Sequence, residues 1–137
     1  MKEFYEVLNK AREIALATSV ANIPNVRIVN FVYDTEKPGI LYFTSNRNNP
    51  KVNEFSQNNN IAFTTVPSGE IPHVRSNYAT VKKSDCSLED IKDLFIRRIP
   101  GYDETIEVLG DVLEVFEIQI HEAKVVTGFG KPIEVSF

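Results

Sequence analysis

The residues with the clearest chemical potential lie between positions 27 and 51. Tyr42-Phe43-Thr44-Ser45 is followed four residues later by Asn49-Pro50-Lys51. Asn49 is a good helix N-cap and Pro50 suits a first helical position, which puts Lys51 in the first turn. Backbone N–H groups, the positive end of the helix dipole and an ammonium then converge on one point, a natural seat for a phosphate monoester. The bland alternative is that Asn49 only caps the helix and Lys51 is solvated. Arg27 sits in Val26-Arg27-Ile28-Val29-Asn30-Phe31-Val32, an otherwise mostly apolar segment. An arginine there needs an anionic ligand or a carboxylate partner, because an unpaired desolvated charge is costly. Either partner is compatible with the sequence. Pairing of this segment with residues 40–45 would bring Arg27 toward the end that carries Thr44 and Ser45.

Other reactive side chains form weaker patterns. His121 and Glu122 are adjacent, but no third ligand stands at a useful spacing for a metal. Cys86, the only cysteine, lies between Asp85 and Ser87 just before a helix; the neighbouring acid opposes a lowered thiol pKa, and the residue reads as a loop cysteine. There is no Ser-His-Asp signature and no phosphate-binding glycine loop. Gly128-Phe129-Gly130 lacks the spacing of a dinucleotide fingerprint.

The elements that must position these residues can be read from periodicity and punctuation. Residues 3–12 place Phe4, Val7, Leu8 and Ala11 on one helical face. Strands are expected at 14–20, 26–33, 40–45, 61–66 and 73–81, separated by Ala21 to Asn25, Asp34 to Gly39, Asn58 to Asn60 and Pro67-Ser68-Gly69. The first three strands suggest an antiparallel meander. Ser87 and Asp90 form a capping-box pattern for a helix that Pro100-Gly101 ends. Residues 103–109 predict one short helical turn, and 113–120 and 123–129 two closing strands. Six or seven strands in so short a chain favour a small barrel, with strands before and after the helix at Ser87 paired over long separations.

Composition bounds the function classes. With 137 residues, 42% hydrophobic and 25% charged, the chain fits a single globular domain, residues 1–137. No apolar run approaches the roughly 20 residues of a membrane span. Met1-Lys2-Glu3-Phe4-Tyr5-Glu6 does not resemble a signal peptide. One cysteine excludes an internal disulfide, and the expected compartment is the cytoplasm. The 15 basic and 19 acidic residues give a net charge of −4, which disfavours nucleic acid as a partner.

Taken in order, Ala17-Thr18-Ser19-Val20, Pro24-Asn25-Val26-Arg27-Ile28-Val29, Leu41-Tyr42-Phe43-Thr44-Ser45, Asn49-Pro50-Lys51-Val52 and Ile61-Ala62-Phe63 resemble the pyridoxamine 5′-phosphate oxidase-like, FMN-binding split-barrel family. The resemblance spans most of the chain and is densest over 14–66. It implies a six-stranded antiparallel split β-barrel with flanking helices, a homodimer, and FMN at the subunit interface. It further implies that Arg27 and Lys51 hold the FMN phosphate, that Ile28, Val29 and Asn30 run along the flavin, and that Thr44 and Ser45 hydrogen-bond the cofactor. Asn49 departs from the serine or threonine common at its position, although an amide still donates to phosphate.

Residues 128–137 lack the arginine cluster of the true oxidase, so vitamin B6 oxidation is not expected. The resemblance is instead to short members of the general-stress or nitroimidazole-resistance type. The expected activity is reduction of a small acceptor through bound FMN at the expense of NADH or NADPH, with no side chain acting as a nucleophile. The alternatives are a non-catalytic flavin sensor or carrier, a deazaflavin enzyme, and a flavin-free barrel that binds another small molecule or haem, with His73 or His121 as haem ligand. His73 opens a strand that could reach across a dimer interface, although an ordinary strand end is the simpler reading.

Overall fold

The computed structural model describes every residue except 68, 70 and 71. Residue 68 belongs to the expected strand stop at 67–69, and that part of the expectation lies outside the described residues. In chain order the elements are α1 (Lys2–Lys10), β1 (Glu13–Val20), β2 (Ile23–Asn30), β3 (Val32–Tyr33), β4 (Ile40–Asn46), α2 (Pro50–Gln57), β5 (Asn60–Thr65), β6 (His73–Lys83), α3 (Leu88–Arg98), α4 (Tyr102–Leu109), β7 (Leu113–Val126) and β8 (Ile133–Ser136).

Among the described residues, eight strands join one sheet in the order β2-β1-β5-β6-β7-β4-β3, with β8 added to β7, and their pairings are antiparallel. Phe31 alone separates β2 from β3, so the two ends of this path are one bent segment. Its first part pairs with β1 and its last two residues pair with β4. That bend curls the sheet into a barrel. With 23–33 counted as a single strand and β8 as an addition, six strands form it, as the sequence resemblance implies.

Two details depart from the expected meander. The cross-strand neighbour of Arg27 is Leu16 of β1, not a residue of 40–45. The two-residue turn Ala21-Asn22, with φ of 51° and 66°, folds β2 directly back on β1. Positive φ at both turn positions matches the twist of a tight hairpin, so Ile23, Pro24 and Asn25 become strand rather than loop. At the other end of the chain, 113–126 is one continuous strand and not two. It pairs with β6 along one edge, and its other edge carries β4 and then β8. His121-Glu122 therefore lies within a ladder. Phe129, expected at a strand end, is fully exposed, and the strand the sequence reading missed is β8.

The barrel interior holds Ile14, Leu16, Phe43, Phe63, Val74, Phe116 and Ile118, closed by Phe4 and Leu8 of α1 and by Phe55 of α2. A second cluster lies outside the barrel, where Ile91, Phe95 and Tyr102 of α3 and α4 cover Val32, Tyr42 and Val115. The Ser87–Asp90 capping box is formed in full, and α4 extends over eight residues rather than one turn. Arg98 ties these layers together. Its guanidinium donates to the Leu8 and Ala11 carbonyls and lies over the rings of Phe31 and Tyr33 at 5.2 and 4.8 Å.

Gly39 is required by the way the C-terminus packs. Its φ is +81°, and a Cβ there would lie 2.7 Å from Cγ of Phe137, whose ring sits 5.2 Å from that of Phe4. Gly39→Ala is expected to lower stability by about 1–3 kcal/mol through backbone strain and displacement of Phe137. Thermal unfolding of the variant checks this, and an unchanged midpoint would contradict the packing described.

Candidate functional site

Strand alternation decides which residues of β1 and β2 share a face. Leu16 is fully buried, and its partner Arg27 projects on the same side, as do Thr18 and its partner Asn25. At this mouth of the barrel they meet α2. Its N-cap is Asn49, whose side chain accepts from the Lys51 N–H at 3.0 Å, while the Val52 N–H donates to the Asn49 carbonyl. Pro50 has no N–H. The backbone donors expected to be free in the first turn are thus largely satisfied by Asn49, and what the turn still offers is its dipole and the Lys51 side chain.

Glu54 lies three residues after Lys51 and one turn along the same helix face. The Arg27 guanidinium donates to its Oε2 at 2.8 Å. The Thr18 hydroxyl donates to the same oxygen, and the Asn25 amide donates to Oε1 at 3.2 Å. Arg27 also donates to Thr18 Oγ1 at 2.8 Å and toward the Leu16 carbonyl at 3.4 Å. The side chains of Arg27 and Glu54 are only 20% and 19% exposed. The Thr18 hydrogen bond, followed by those from Arg27 and Asn25, holds the Glu54 carboxyl below its usual pKa against the opposing effect of burial. Of the two partners the sequence allowed for Arg27, the carboxylate is the one present. Glu54 escaped the sequence reading, although an arginine in an apolar strand was itself the signal for such a residue.

Lys51 is different. Its ammonium has no hydrogen bond or ion pair among the described residues, and its pKa is lowered, first by burial and then by the charge of Arg27, with Glu54 opposing. Two cations and one carboxylate therefore leave the mouth with a net positive charge, concentrated on a lysine held in an environment that disfavours its own charge.

The remaining predicted residues are spread over both faces of the sheet. Val29 shares the inner side with Arg27, whereas Ile28 and Asn30 project outward, where Ile28 is 53% and Val26 63% exposed. On β4, Thr44 and Ser45 necessarily point to opposite faces. The Thr44 hydroxyl is hydrogen-bonded to Tyr102 of α4, while buried Ser45 donates to the Asn46 carbonyl at 3.2 Å. The structure brings Arg27 and Lys51 together and leaves Thr44 with the helical layer. His121 packs against Tyr78 with ring centres 4.9 Å apart, and His73 begins β6 opposite Val126.

The outer face contains a groove of about 550 Å³ whose floor includes Ala15, Ala17 and Ala62, with Val26 at one side and Arg75, Glu122 and Lys124 at the other. Small side chains on two neighbouring strands create this depression, since β1 and β5 pair Ala17 directly with Ala62.

Known structures with this fold differ in what their names say they bind. A NimC/NimA family protein from Clostridium acetobutylicum superimposes with a TM-score of 0.73 at 21% identity, covering 100% of this chain and 92% of that one. A haem-binding protein from Mycobacterium smegmatis matches with a TM-score of 0.77 at 12% identity; the match covers 98% of this chain but only 56% of that protein. A FAD-binding protein from Mesorhizobium loti gives 0.66 at 16% identity, with 89% and 90% covered. At these identities the likeness establishes the fold. No curated protein matches the sequence. A family model described as pyridoxamine 5′-phosphate oxidase-like, however, matches residues 7–132. That match takes in every strand from β1 to β7 and both residues of the cationic mouth, and the chain belongs to the pyridoxamine 5′-phosphate oxidase-like family.

Proposed function

We propose that the protein is an FMN-binding oxidoreductase that reduces a small acceptor with NADH or NADPH. The observation that carries this reading is Lys51, a partly desolvated and unpaired ammonium beside Arg27 at the N-terminal end of α2. Such a charge is poorly accommodated until an anion arrives, and perturbed groups of this kind concentrate at functional sites. A phosphate monoester suits it in charge and reach. Because β2 ends the sheet path, every second residue of it has backbone N–H and C=O groups without ladder partners; those of Ile28 and Asn30 are available to orient a flavin ring, while Val29 between them is bonded to Ile14 of β1. Thr44 and Ser45 have supporting roles from either side of β4.

When bound, FMN supplies hydride and electron transfer. The protein anchors the phosphate, orients the ring and limits access of water, with no side chain acting as a nucleophile. A second copy of the chain completes the cleft in this reading. Support comes from Val26 and Ile28, which stand exposed beside the alanine-floored groove, since an apolar strip of this kind is commonly buried by two-fold pairing. The cytoplasm remains the proposed compartment, and among the described residues no helix is long and apolar enough to cross a membrane.

Fluorescence titration with FMN and with riboflavin isolates the phosphate. FMN should bind at least tenfold more tightly, as expected for one or two charge-assisted contacts. Its affinity should fall as pH rises through the lowered pKa of Lys51, because the anion binds the protonated amine, while riboflavin affinity stays flat over the same range. Equal affinities for the two flavins would refute the phosphate seat. Turnover of NADH or NADPH with quinones, nitroaromatics or free flavin separates an enzyme from a carrier.

Haem is the second reading, favoured by the haem-binding protein of the same fold. In that reading His121, beside Tyr78, or His73 would hold the haem iron.

A further inference from the structure

The polar contacts at the barrel mouth surround a group that resembles a ligand. The Glu54 carboxylate receives a guanidinium N–H from Arg27, a hydroxyl from Thr18 and an amide N–H from Asn25. These donors come from β1 and β2, whereas the carboxylate is delivered by α2. A cation, a hydroxyl and an amide converging on two oxygens are the same chemistry that recognises an external carboxylate or phosphate. The adjacent Lys51 ammonium adds a further charge without a partner of its own.

We infer that Glu54 is an internal occupant of the anion seat: in the free protein its carboxylate fills the place beside Arg27, and a phosphorylated ligand binds by displacing it. The inference rests on the phosphate reading above and deepens it by assigning the competitor. Displacement is feasible because Glu54 belongs to a surface helix, and its carboxylate, once released, can turn to water while its backbone stays in the α2 ladder. The ligand then inherits Arg27, Thr18 and Asn25 and adds Lys51. Affinity for the anion is therefore reduced by the free energy of opening the Glu54 contacts, just as a binding-competent state that is only partly populated lowers apparent affinity. The seat discriminates against weak monoanions, which offer these donors no more than Glu54 already does, and favours a phosphate dianion.

The test uses the full-length protein and the variants Glu54→Gln and Glu54→Ala, titrated with FMN, riboflavin and inorganic phosphate. If Glu54 fills the seat, both variants bind FMN about tenfold more tightly than the parent, with riboflavin affinity unchanged. The ratio persists at 1 M salt, where the screening length is about 3 Å, because a filled seat is not a through-space effect. If Glu54 instead serves to position Arg27, Glu54→Ala weakens FMN binding and Glu54→Gln largely preserves it, which overturns the inference while leaving the phosphate reading intact. A gain that vanishes at high salt overturns it too, since Glu54 then acts only as a nearby charge. If neither parent nor variants bind FMN, the flavin reading fails and inorganic phosphate decides: tighter binding by both variants retains the internal occupant, and equal binding removes it.

Discussion

Alanine at both Arg27 and Lys51 is expected to abolish retention of FMN, by a factor of a hundred or more in affinity on the scale of two lost charge-assisted contacts, while the barrel stays folded. The single variants differ in an informative way. The pKa of Lys51 is lower in the folded chain than in an unfolded one, so its charged form opposes folding. That penalty is present below the folded-state pKa and is lifted as pH rises through it toward the ordinary lysine value. Lys51→Ala removes the penalty and should leave the protein as stable as the parent or more so at neutral pH, with weaker FMN binding. Arg27→Ala instead leaves the Glu54 carboxylate with only Thr18 and Asn25 as donors and should destabilise by about 1–3 kcal/mol. Urea unfolding beside flavin titration separates the two. A Lys51→Ala protein that is less stable and binds FMN normally would mean that the lysine is structural.

Phe55→Ala should have the largest effect on stability. Phe55 is only 6% exposed, with its ring centre 5.9 Å from that of Phe43 and 5.6 Å from that of Phe116 inside the barrel. Removing it costs the transfer free energy of the ring and leaves a cavity, together about 3–5 kcal/mol. That is a large fraction of the 5–15 kcal/mol typical of a domain. The same side chain is the buried anchor of α2, the helix that carries Lys51 and Glu54. Its loss should therefore also weaken FMN binding by loosening the helix. Phe55→Leu restores much of the volume and should recover both properties in part. The pattern to look for is joint loss in Phe55→Ala against loss of binding alone in Lys51→Ala. Unchanged unfolding of Phe55→Ala in urea would show that the helix is held elsewhere.

Local signals were legible in the sequence where one residue type has one strong use. The N-cap role of Asn49, the position of Pro50, the Ser87–Asp90 box and the apolar faces of α1 and α3 all follow from such preferences. The six-stranded barrel was legible because short β-rich segments repeat along the chain and their order resembles a known family. Long-range pairing was not. Assigning Arg27 to a neighbour in 40–45 failed because the segment 23–33 bends at Phe31, so that β2 pairs with β1 and only the two residues of β3 pair with β4. His121-Glu122 looked like a break, yet a polar pair is tolerated within β7 because neither side chain is buried there. Thr44 and Ser45 are neighbours in sequence, but the strand sends them to different layers, and only the packing of α4 shows that Thr44 meets Tyr102. The pairing of Arg27 with a carboxylate was open in the sequence, but naming Glu54 required knowing that α2 docks over the mouth.

The central claim is that the cationic mouth belongs to an FMN site, and the visible absorption spectrum of the purified protein tests it most directly. The spectrum is recorded before and after addition of FMN, and any released cofactor is identified by chromatography. The account predicts a two-banded flavin spectrum, either as purified or on addition of FMN, with FMN as the released species. A protein that is colourless and stays unable to retain added FMN would contradict it, and a sharp Soret band in place of the flavin bands would transfer the site to haem.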